Sequence, residues 1–396
     1  MPLQPILSLI QKFLSKEYAS GILLFFAASL AMIAENSSLS GFYDSLLATQ
    51  VEIRIDDFQI AKPLLLWVND GLMAIFFFHV GLEIKHEVLG GKLSELSAVT
   101  LPLFGAMGGI LVPAGLYAFI NLDDPAALQG WAIPTATDIA FALGVLGLLG
   151  KRVPTGLKVF LLSLAVIDDL CAILIIAFFY TSSLGISSLI VASIMICLLY
   201  LLNRMKVTSL VPYFFVGLIL WASVLKSGIH ATLAGVVIAM FIPYIKRPDS
   251  DINMLEEIEH DLKDTVYLFI LPFFAFVNSG VYLGELSIDS LLRPIPLGIM
   301  AGLIVGKQLG ILSFCWLAVK SGFASMPDDI NWKQLYGVSL ICGIGFTMSL
   351  FISSLAFETG DISTMVDDRL GIIVGSLLSG IAGYCFLRFS NNKTNN

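Results

Sequence analysis

Two adjacent carboxylates, Asp168 and Asp169, lie in the otherwise apolar run LLSLAVIDDLCAILIIAFFY of residues 161–180. Two neighbouring acids in a medium of low dielectric cannot both be fully ionised and unpartnered, because desolvation and mutual repulsion both disfavour the charged forms. Such a pair can carry protons at neutral pH, and its hard oxygen atoms also suit small cations without d-electron preferences. The pattern predicts a site where a cation and protons compete, with a structural hydrogen-bonding pair as the alternative.

Three further ionisable residues, Asp70, Asp138 and Lys307, also lie in apolar runs. Each would cost about 2.5 to 3.5 kcal/mol if it faced lipid, so together they predict a polar interior or a water-filled funnel. Lys307 lies at the centre of its run, too deep for its side chain to reach either membrane surface, which favours a functional or counter-charge role over snorkelling. Asp70 is a weaker candidate for an outer funnel, because capping or packing explains it equally well.

The elements that carry these charges are predicted to be membrane-spanning helices. Of the 396 residues, 57% are apolar and 13% are charged, against about 45–50% and 25% in soluble proteins. Apolar runs of about 20 residues, the length that spans a bilayer, recur along the whole chain. The predicted fold is an all-α integral membrane protein of a single transmembrane domain. Its twelve predicted spans lie near residues 18–34, 63–83, 98–119, 127–149, 157–180, 186–203, 209–224, 228–245, 262–280, 295–319, 336–357 and 370–388.

The loop charges predict an orientation, because loops rich in Lys and Arg are retained in the cytoplasm. With the N-terminus inside, sixteen Lys and Arg residues fall on cytoplasmic segments and five fall outside, while Lys307 lies within a span. Both chain ends are therefore predicted to be cytoplasmic. The first hydrophobic segment is then a retained signal-anchor rather than a cleaved signal peptide.

Composition also excludes several classes of function. The net charge of −8, without a basic stripe, argues against a nucleic-acid partner. All five cysteines lie in predicted spans, which is typical of packing residues and not of a disulfide framework. The chain contains no Walker-type glycine loop for a nucleotide, and we expect no cofactor.

Two predicted loops are longer than the rest. In residues 35–62, the stretch VEIRIDDFQI alternates apolar and charged side chains from Val51 to Ile60, which predicts an extracytoplasmic β-hairpin. A two-stranded ribbon is marginal alone in water, and its edge is available to a second copy, so the hairpin predicts a homodimer. Residues 246–264 form a charged loop, KRPDSDINMLEEIEHDLKD, that is predicted to face the cytoplasm.

Two of the predicted spans are interrupted. In the fourth, GWAIPTATDIAFALG, Pro134 removes a backbone donor while Thr137 and Asp138 supply polar atoms in its place. In the eleventh, GVSLICGIGFTMSLF, Gly343 and Gly345 lie two apart in the middle. The free ends of broken helices carry partial charges, which an acid such as Asp138 and a base such as Lys307 would neutralise.

The interrupted spans occupy corresponding positions in two three-helix units, residues 98–180 and 295–388. This arrangement is typical of inverted-topology repeats that place a binding site at the bilayer midplane. No residue-level repeat links the two units, so the symmetry is inferred from hydropathy alone.

Candidates for pH sensing lie near the predicted helix ends. Glu83 and Glu87 are four residues apart at the cytoplasmic end of the second span, and Glu259 lies in the charged loop. The alternative for these acids is a solvated helix end. His230, in LKSGIHATLAG, is either a pH-responsive group or a histidine whose hydrogen bonds are satisfied.

Seven motifs occur in the order GLEIKHE, IPTATDIAFALG, LAVIDDL, LKSGIHATLAG, LPFFAFVNSGV, GLIVGK and LICGIGFTMS. Together they resemble the bacterial NhaA family of sodium/proton antiporters across nearly the whole chain. This family is itself a known example of inverted-repeat transporters, so the resemblance and the repeat inference are not independent.

The resemblance implies that Asp168 and Asp169 bind Na+ or Li+ and protons, that Thr137 and Asp138 lie where the unwound helices cross, and that Lys307 faces the site. It also implies pH sensing at a cytoplasmic mouth that holds Glu83, Glu87 and Glu259. Two residues depart from the family pattern. His86 stands where an arginine is common, and Gln308 stands where a proline is common.

The predicted function is electrogenic exchange of cytoplasmic Na+ or Li+ for external protons by alternating access, in the bacterial inner membrane. Such exchange contributes to pH and sodium homeostasis and to salt tolerance. One alternative is a Na+-coupled symporter of the same architecture, which would need a pocket for an organic solute. An intramembrane aspartyl protease would want its two acids on facing helices, whereas Asp168 and Asp169 are about 100° apart around one helix.

Overall fold

The computed structural model describes residues 16, 18–56, 58–91, 96–181, 185–246, 252–284, 288–357 and 362–390. These residues are helical almost throughout, apart from a small antiparallel hairpin. The predicted cytoplasmic location of the chain ends concerns residues that are largely outside this description, namely 1–15, 17 and 391–396. Residues 247–251 of the predicted charged loop also lie outside it.

Seven helices in the described part of the chain are long and apolar enough to cross a membrane, or nine if two bent pairs each form one span. The seven are Leu64–Leu89, Val99–Ile120, Ala127–Leu149, Thr155–Phe179, Ile186–Arg204, Pro294–Lys320 and Asp368–Ser390. The two pairs are Ala19–Glu35 with Ser40–Ala48, and Trp332–Ile341 with Phe346–Ala356. Shorter helices, Leu210–Leu225, Leu233–Phe241 and Leu271–Asn278, lie in the other predicted spans. The chain is thus a multi-pass helical protein, and the count of twelve spans stays a prediction.

Contacts within the chain define two compact units. The first comprises Met1–Ser37, Glu95–Asp169 and Asn278–Asn396. Its helices are Ala19–Glu35, Leu96–Ile120, Ala127–Thr135, Ile139–Leu149, Gly150–Arg152, the first part of Thr155–Phe179, Ile288–Leu291, Pro294–Ala301, Lys307–Lys320, Trp332–Ile341, Phe346–Ala356 and Ile362–Ser390.

Two helical segments of the first unit are interrupted. A 3₁₀ helix, Ala127–Thr135, contains Pro134 and gives way to extended backbone at Ala136 and Asp138 before the α-helix Ile139–Leu149 begins. The second interruption separates Trp332–Ile341 from Phe346–Ala356, whose axes differ by 47°. Backbone groups at such breaks have lost their helical partners and must find others nearby.

A π-helical turn, Gly302–Gly306, lies directly before Lys307. The sequence places Lys307 at the centre of a predicted span, and in the structure the α-helix Lys307–Lys320 begins at this residue, after the π turn. A π turn carries one more residue than an α turn and is frequent at functional sites. The lysine side chain is completely buried.

The second unit comprises Ser38–Ser94 and Leu170–Val277. Its elements are Ser40–Ala48, the strands Gln50–Ile55 and Phe58–Pro63, then Leu64–Trp67, Val68–Leu72, Met73–Leu89, Ile186–Arg204, Leu210–Leu225, Leu233–Phe241, Met254–Thr265, Val266–Ile270 and Leu271–Asn278. The strands pair antiparallel with Ile53 opposite Ile60, which confirms the predicted hairpin. Of this pair, Ile60 is buried and Ile53 is exposed.

Candidate functional site

A carboxylate, a hydroxyl and an ammonium group meet in the first unit at Asp168. Asp168 and Asp169 are each only 3% exposed, although both belong to the residue types that are most rarely buried. Lys307 Nζ donates to Asp168 Oδ2 over 2.6 Å. Thr137 Oγ1 lies 2.8 Å from the same oxygen. One oxygen of Asp168 is therefore held by a cation and a hydroxyl together.

The other carboxylate oxygen of Asp168, Oδ1, differs from Oδ2 in its hydrogen bonding. Among the residues that the structure describes, Oδ1 of Asp168 is buried and has no hydrogen-bond partner. A buried acceptor without a donor costs about 1–3 kcal/mol, so such atoms are rare and call for an explanation. An incoming proton or cation would satisfy this oxygen, and Asp169 is the next residue on the same helix.

The backbone beside this pair is polar as well. Lys307 also donates to the carbonyl oxygen of Thr135, at the end of the 3₁₀ helix. The Thr137 hydroxyl lies 3.1 Å from the carbonyl oxygen of Cys342, in the second interruption. A hydroxyl has one proton to donate, so Thr137 can bond either to Asp168 or to Cys342 at one time.

Asp138 forms hydrogen bonds with residues of both interruptions. Its Oδ1 accepts from Phe141 N over 2.9 Å and so caps the helix Ile139–Leu149. Its Oδ2 accepts from Thr347 N over 3.0 Å and from Thr347 Oγ1 over 2.6 Å. The backbone N–H of Asp138 donates to Ile344 O over 2.7 Å. This carboxylate lies at two helix N-termini, where the helix dipole and free N–H groups favour negative charge.

Further first-unit contacts complete the crossing. Ser376 Oγ accepts from Gly345 N over 3.2 Å and from Phe346 N over 3.1 Å. Ser349 Oγ donates to Ile133 O over 2.7 Å. Several backbone groups beside the interruptions are thus bonded to one another or to side chains of the same unit.

Gly343 and Gly345 permit the close approach of these segments. A Cβ atom at Gly343 would lie 2.4 Å from Leu303 O, in the π turn before Lys307. A Cβ atom at Gly345 would lie 2.1 Å from Ser349 Oγ and 3.2 Å from Ala136 O. A larger residue at Gly343 would meet the backbone of the π turn, and one at Gly345 would meet Ser349 and approach Ala136, so both positions leave little room for a side chain.

The remaining predicted site residues belong to the second unit, in two clusters. In the first, His86 Nδ1 lies 2.7 Å from Glu259 Oε2, and His86 Nε2 lies 3.7 Å from Glu256 Oε1. Glu83 interacts electrostatically with Glu259 and Glu87. The structure therefore brings the three predicted acids together around His86, the residue that departs from the family pattern.

In the second cluster, Lys62 Nζ forms an ion pair of 2.6 Å with Asp70 Oδ2. His230 Nε2 lies 3.6 Å from Asp70 Oδ1, and His230 Nδ1 lies 2.7 Å from Thr232 Oγ1. Trp221 Nε1 donates to the backbone oxygen of Asp70 over 3.1 Å. Both side chains of the His230 and Asp70 pair are close to nine-tenths buried.

Three residues of these clusters, Thr347, Ser376 and Glu256, are not predicted from the sequence. Thr347 stands directly after the GIGF stretch that begins a helix, and that position is itself a signal for capping. Glu256 lies in the loop already identified as charged. Nothing in the sequence distinguishes Ser376 from the other small residues of its helix, because its partners are thirty or more positions away.

The chain is similar to known transport proteins over nearly all of its length. The family model "Na+/H+ antiporter 1" matches residues 11–387. The Na(+)/H(+) antiporter NhaA 2 of Magnetococcus marinus is 57% identical over 390 residues, which cover 97% of this chain and 98% of that protein. The NhaA antiporter of Psychrobacter arcticus is 54% identical over 379 residues, covering 96% and 94%. That of Nitratiruptor sp. is 55% identical over 379 residues, covering 96% and 97%.

Proposed function

This chain belongs to the NhaA family of Na+/H+ antiporters, and we propose that its exchange takes place at Asp168 and Asp169. As a member, it is a multi-pass secondary transporter and not an enzyme. The proposal rests on the different hydrogen bonding of the two carboxylate oxygens of Asp168. Oδ2 accepts from Lys307 and Thr137, whereas Oδ1 is buried without a partner among the described residues.

Sodium entry would exchange one set of partners for another. A Na+ bound between Asp168 and Asp169 offsets one of their two negative charges and weakens the pull of Asp168 on Lys307 and Thr137. The Thr137 hydroxyl can then turn toward Cys342 O, which is within 3.1 Å. Because the ion and the protons use the same oxygens, one displaces the other, and exchange follows from competition at a single site.

The cycle is alternating access. From the cytoplasm, deprotonated Asp168 and Asp169 take up Na+ or Li+, the protein exposes the ion outside, and external protons displace it. The first proton comes from Asp169. A buried ion pair is stable only while both members are charged, so when the cation disturbs the bond between Asp168 and Lys307, the proton held in that pair on the Lys307 ammonium leaves as the second. More than one proton then returns for each cation, and the exchange moves net charge inward.

Sodium efflux from proteoliposomes under an imposed membrane potential, without a pH gradient, tests this proposal. Each net charge moved across 100 mV provides about 2.3 kcal/mol, so an inside-negative potential should drive Na+ out. Repeating the assay at zero potential gives the control. If the potential has no effect on the intact protein, exchange is electroneutral and the two-proton mechanism is wrong.

The proposal also covers the location, the topology and the internal repeats of the protein. The protein lies in the bacterial inner membrane with twelve spans and both chain ends in the cytoplasm, where it contributes to sodium and pH homeostasis and to salt tolerance. Residues 98–180 and 295–388 form the two inverted repeats. Support comes from the two interruptions, whose backbone groups bond to each other through Asp138 and Ile344.

The second unit supplies regulation and assembly in this proposal. The cluster of Glu83, Glu87 and Glu259 around His86 senses cytoplasmic pH, and His230 is a further pH-responsive group. Asp70, which is paired with Lys62, belongs to an outer funnel. The hairpin from Val51 to Ile60 joins two copies into a homodimer. The exposed face of Ile53 supports this role, because an apolar side chain on a free strand edge is a ready pairing surface.

A further inference from the structure

An apolar groove of about 340 Å³ lies on the first unit, along the helices Ala19–Glu35, Ile139–Leu149 and Ile362–Ser390. It extends along the last of these from Ser376 to Tyr384, which is about 12 Å of helix rise. Its wall includes Ile22, Phe25, Phe141, Val145, Leu377 and Ile381. Several of these side chains are exposed, as expected for helices that face lipid.

The inner wall of the groove is shared with the helix crossing. Ser376 lines the groove and accepts from Gly345 N and Phe346 N. Phe141 also lines it, and its ring lies edge-on to Phe346 with centroids 5.7 Å apart. Whatever fills the groove therefore contacts two residues that hold the crossing in place.

One end of the groove is basic. Arg388 is exposed, its guanidinium lies 5.9 Å from the centroid of the Tyr384 ring, and its Nη1 donates to Tyr384 Oη over 3.4 Å. Lys16, also exposed, precedes the groove residue Tyr18 by two positions. Lys16 thus precedes the start of the helix Ala19–Glu35, and Arg388 lies in the last turn of the helix Ile362–Ser390.

We propose that this groove binds an anionic phospholipid, with one acyl chain along the groove and the phosphate at Arg388 and Lys16. The apolar length suits a chain, and the basic end suits a negative headgroup near the cytoplasmic surface. An acyl chain in the groove supports Phe141 and Ser376 and so favours the ordered crossing. The proposal is independent of the ion chemistry at Asp168 and Asp169.

The test measures binding of phosphatidylglycerol to the purified full-length protein in phosphatidylcholine-containing micelles, by native mass spectrometry. Arg388→Gln should weaken phosphatidylglycerol binding about fivefold or more. Lys320→Gln is the matched control, because Lys320 is also an exposed cation at a helix end, 4.5 Å from the centroid of the Trp316 ring, but lies away from the groove. It should change binding less than twofold.

Two further variants decide whether the groove itself is occupied. Ile381→Trp, and separately Leu377→Trp, should displace the lipid by filling the groove, in protein that still elutes as a single folded species. Asp169→Asn should bind the lipid normally even though it is expected to lose exchange, which separates this proposal from the exchange mechanism.

Several outcomes would overturn the proposal. Equal losses in Arg388→Gln and Lys320→Gln would mean general attraction between charges, and unchanged binding in both tryptophan variants would exclude the groove. Competition by soluble glycerol phosphate would indicate a phosphate site without a chain. Loss of the dimer in either tryptophan variant would mean that a second copy covers this face.

Discussion

The buried site of the first unit and the His86 cluster of the second unit contain similar side chains in very different surroundings. In the pair of Lys307 and Asp168, the side chains are 0% and 1% exposed. In the pair of His86 and Glu259, they are 32% and 22% exposed. Coulombic interactions are several times stronger in a dry site than in one that water and salt can screen. In the proposed mechanism, protonation in the first unit therefore decides whether an ion binds, whereas protonation in the second adjusts the pH response.

Within the first unit, Asp138 and Asp168 form a second contrast. Asp138 accepts three hydrogen bonds, from Phe141 and Thr347, and holds the crossing together. Asp168 has both donors on one oxygen and none on the other among the described residues. A saturated carboxylate has no room for a new ligand, and a half-saturated one does. We therefore expect substitutions at these positions to fail in different ways.

The largest effect is expected at the acid pair. Asp169→Asn should abolish Na+ binding and exchange, a loss of at least about a hundredfold, because an amide cannot neutralise a cation or carry a proton at neutral pH. Calorimetric Na+ titration and exchange in everted vesicles would measure the two losses. Asp123→Asn, in an exposed loop acid, is the control. Full Na+ binding by Asp169→Asn would assign the ion elsewhere.

Asp168→Asn should reduce exchange by at least about tenfold and lower the charge moved per cycle. The amide keeps an acceptor for Thr137 but loses the ion pair with Lys307, and an unpaired buried charge is costly. Charge per Na+ would be measured by electrophysiology on a solid-supported membrane. An unchanged ratio of charge to Na+ would remove Asp168 from the proton count.

At Asp138 we expect a substitution to lower the stability of the protein more than its affinity for Na+. The Asn side chain of Asp138→Asn keeps one acceptor oxygen, so it can serve Phe141 or Thr347 but not both, which leaves a buried donor unpaired. The free energy of unfolding should fall by about 1–3 kcal/mol, while Na+ affinity changes by only a few-fold. Thermal unfolding and Na+ titration of the same sample would separate the two quantities. If Na+ binding is lost with no change in stability, Asp138 is an ion ligand and the contrast with Asp168 fails.

Thr137 lies between the two carboxylates and should have an intermediate effect on ion affinity. Thr137→Val removes the hydroxyl that bonds either to Asp168 or to Cys342, and one neutral hydrogen bond contributes about 0.5–1.5 kcal/mol. The apparent KM for Na+ should therefore rise about three- to tenfold. Thr137→Ser retains the hydroxyl and should restore most of the affinity. Equal KM values in the two variants would show that the methyl group, not the hydroxyl, matters.

Much of this site can be predicted from local sequence signals. Pro134 and the glycines at 343 and 345 mark the interruptions because their effects on backbone hydrogen bonds and close approach are local. The hairpin follows from the alternation of apolar and polar residues between Val51 and Ile60, which Asp56 and Asp57 interrupt at the turn. Buried charges in apolar runs identify Asp138, Asp168 and Lys307, since their cost in lipid requires a role.

Other features cannot be predicted from local signals because they depend on distant pairings. Thr347 binds Asp138 across 209 positions of the chain, and Ser376 reaches Gly345 across 31. The two different environments of the Asp168 oxygens depend on where Lys307 and Thr137 come to lie after folding. The contact of Glu256 with His86 depends on how a charged loop packs, which alternation and hydropathy do not encode.

In the second unit, substitution should displace the pH response rather than stop exchange. Glu259→Gln removes a negative charge 2.7 Å from His86, so the neighbouring groups release their protons more readily. The rise of activity should move to lower pH by about half a unit, given the screening of a part-exposed pair. Glu52→Gln, on the exposed hairpin, is the control, and maximal activity at high pH should be unchanged in both. A pH profile identical to that of the control would leave the cluster as a solvated helix end.

The smallest effect on exchange is expected from deleting residues 51–60, which should change assembly alone. The deletion joins Gln50 to Ala61. Because Gln50 is paired with Pro63, Ala61 and Lys62 are left to connect the two paired positions as a short turn. We expect the dissociation constant of the dimer in detergent to rise at least about tenfold, which corresponds to 1.4 kcal/mol. Ile53→Lys, which changes only an exposed side chain of the ribbon, should give a partial shift in the same direction. Analytical ultracentrifugation would measure both variants, and exchange per protein should stay within twofold of the unaltered chain. A dimer of unchanged strength after deletion would show that another surface joins the copies, because the pairing edge would then be absent.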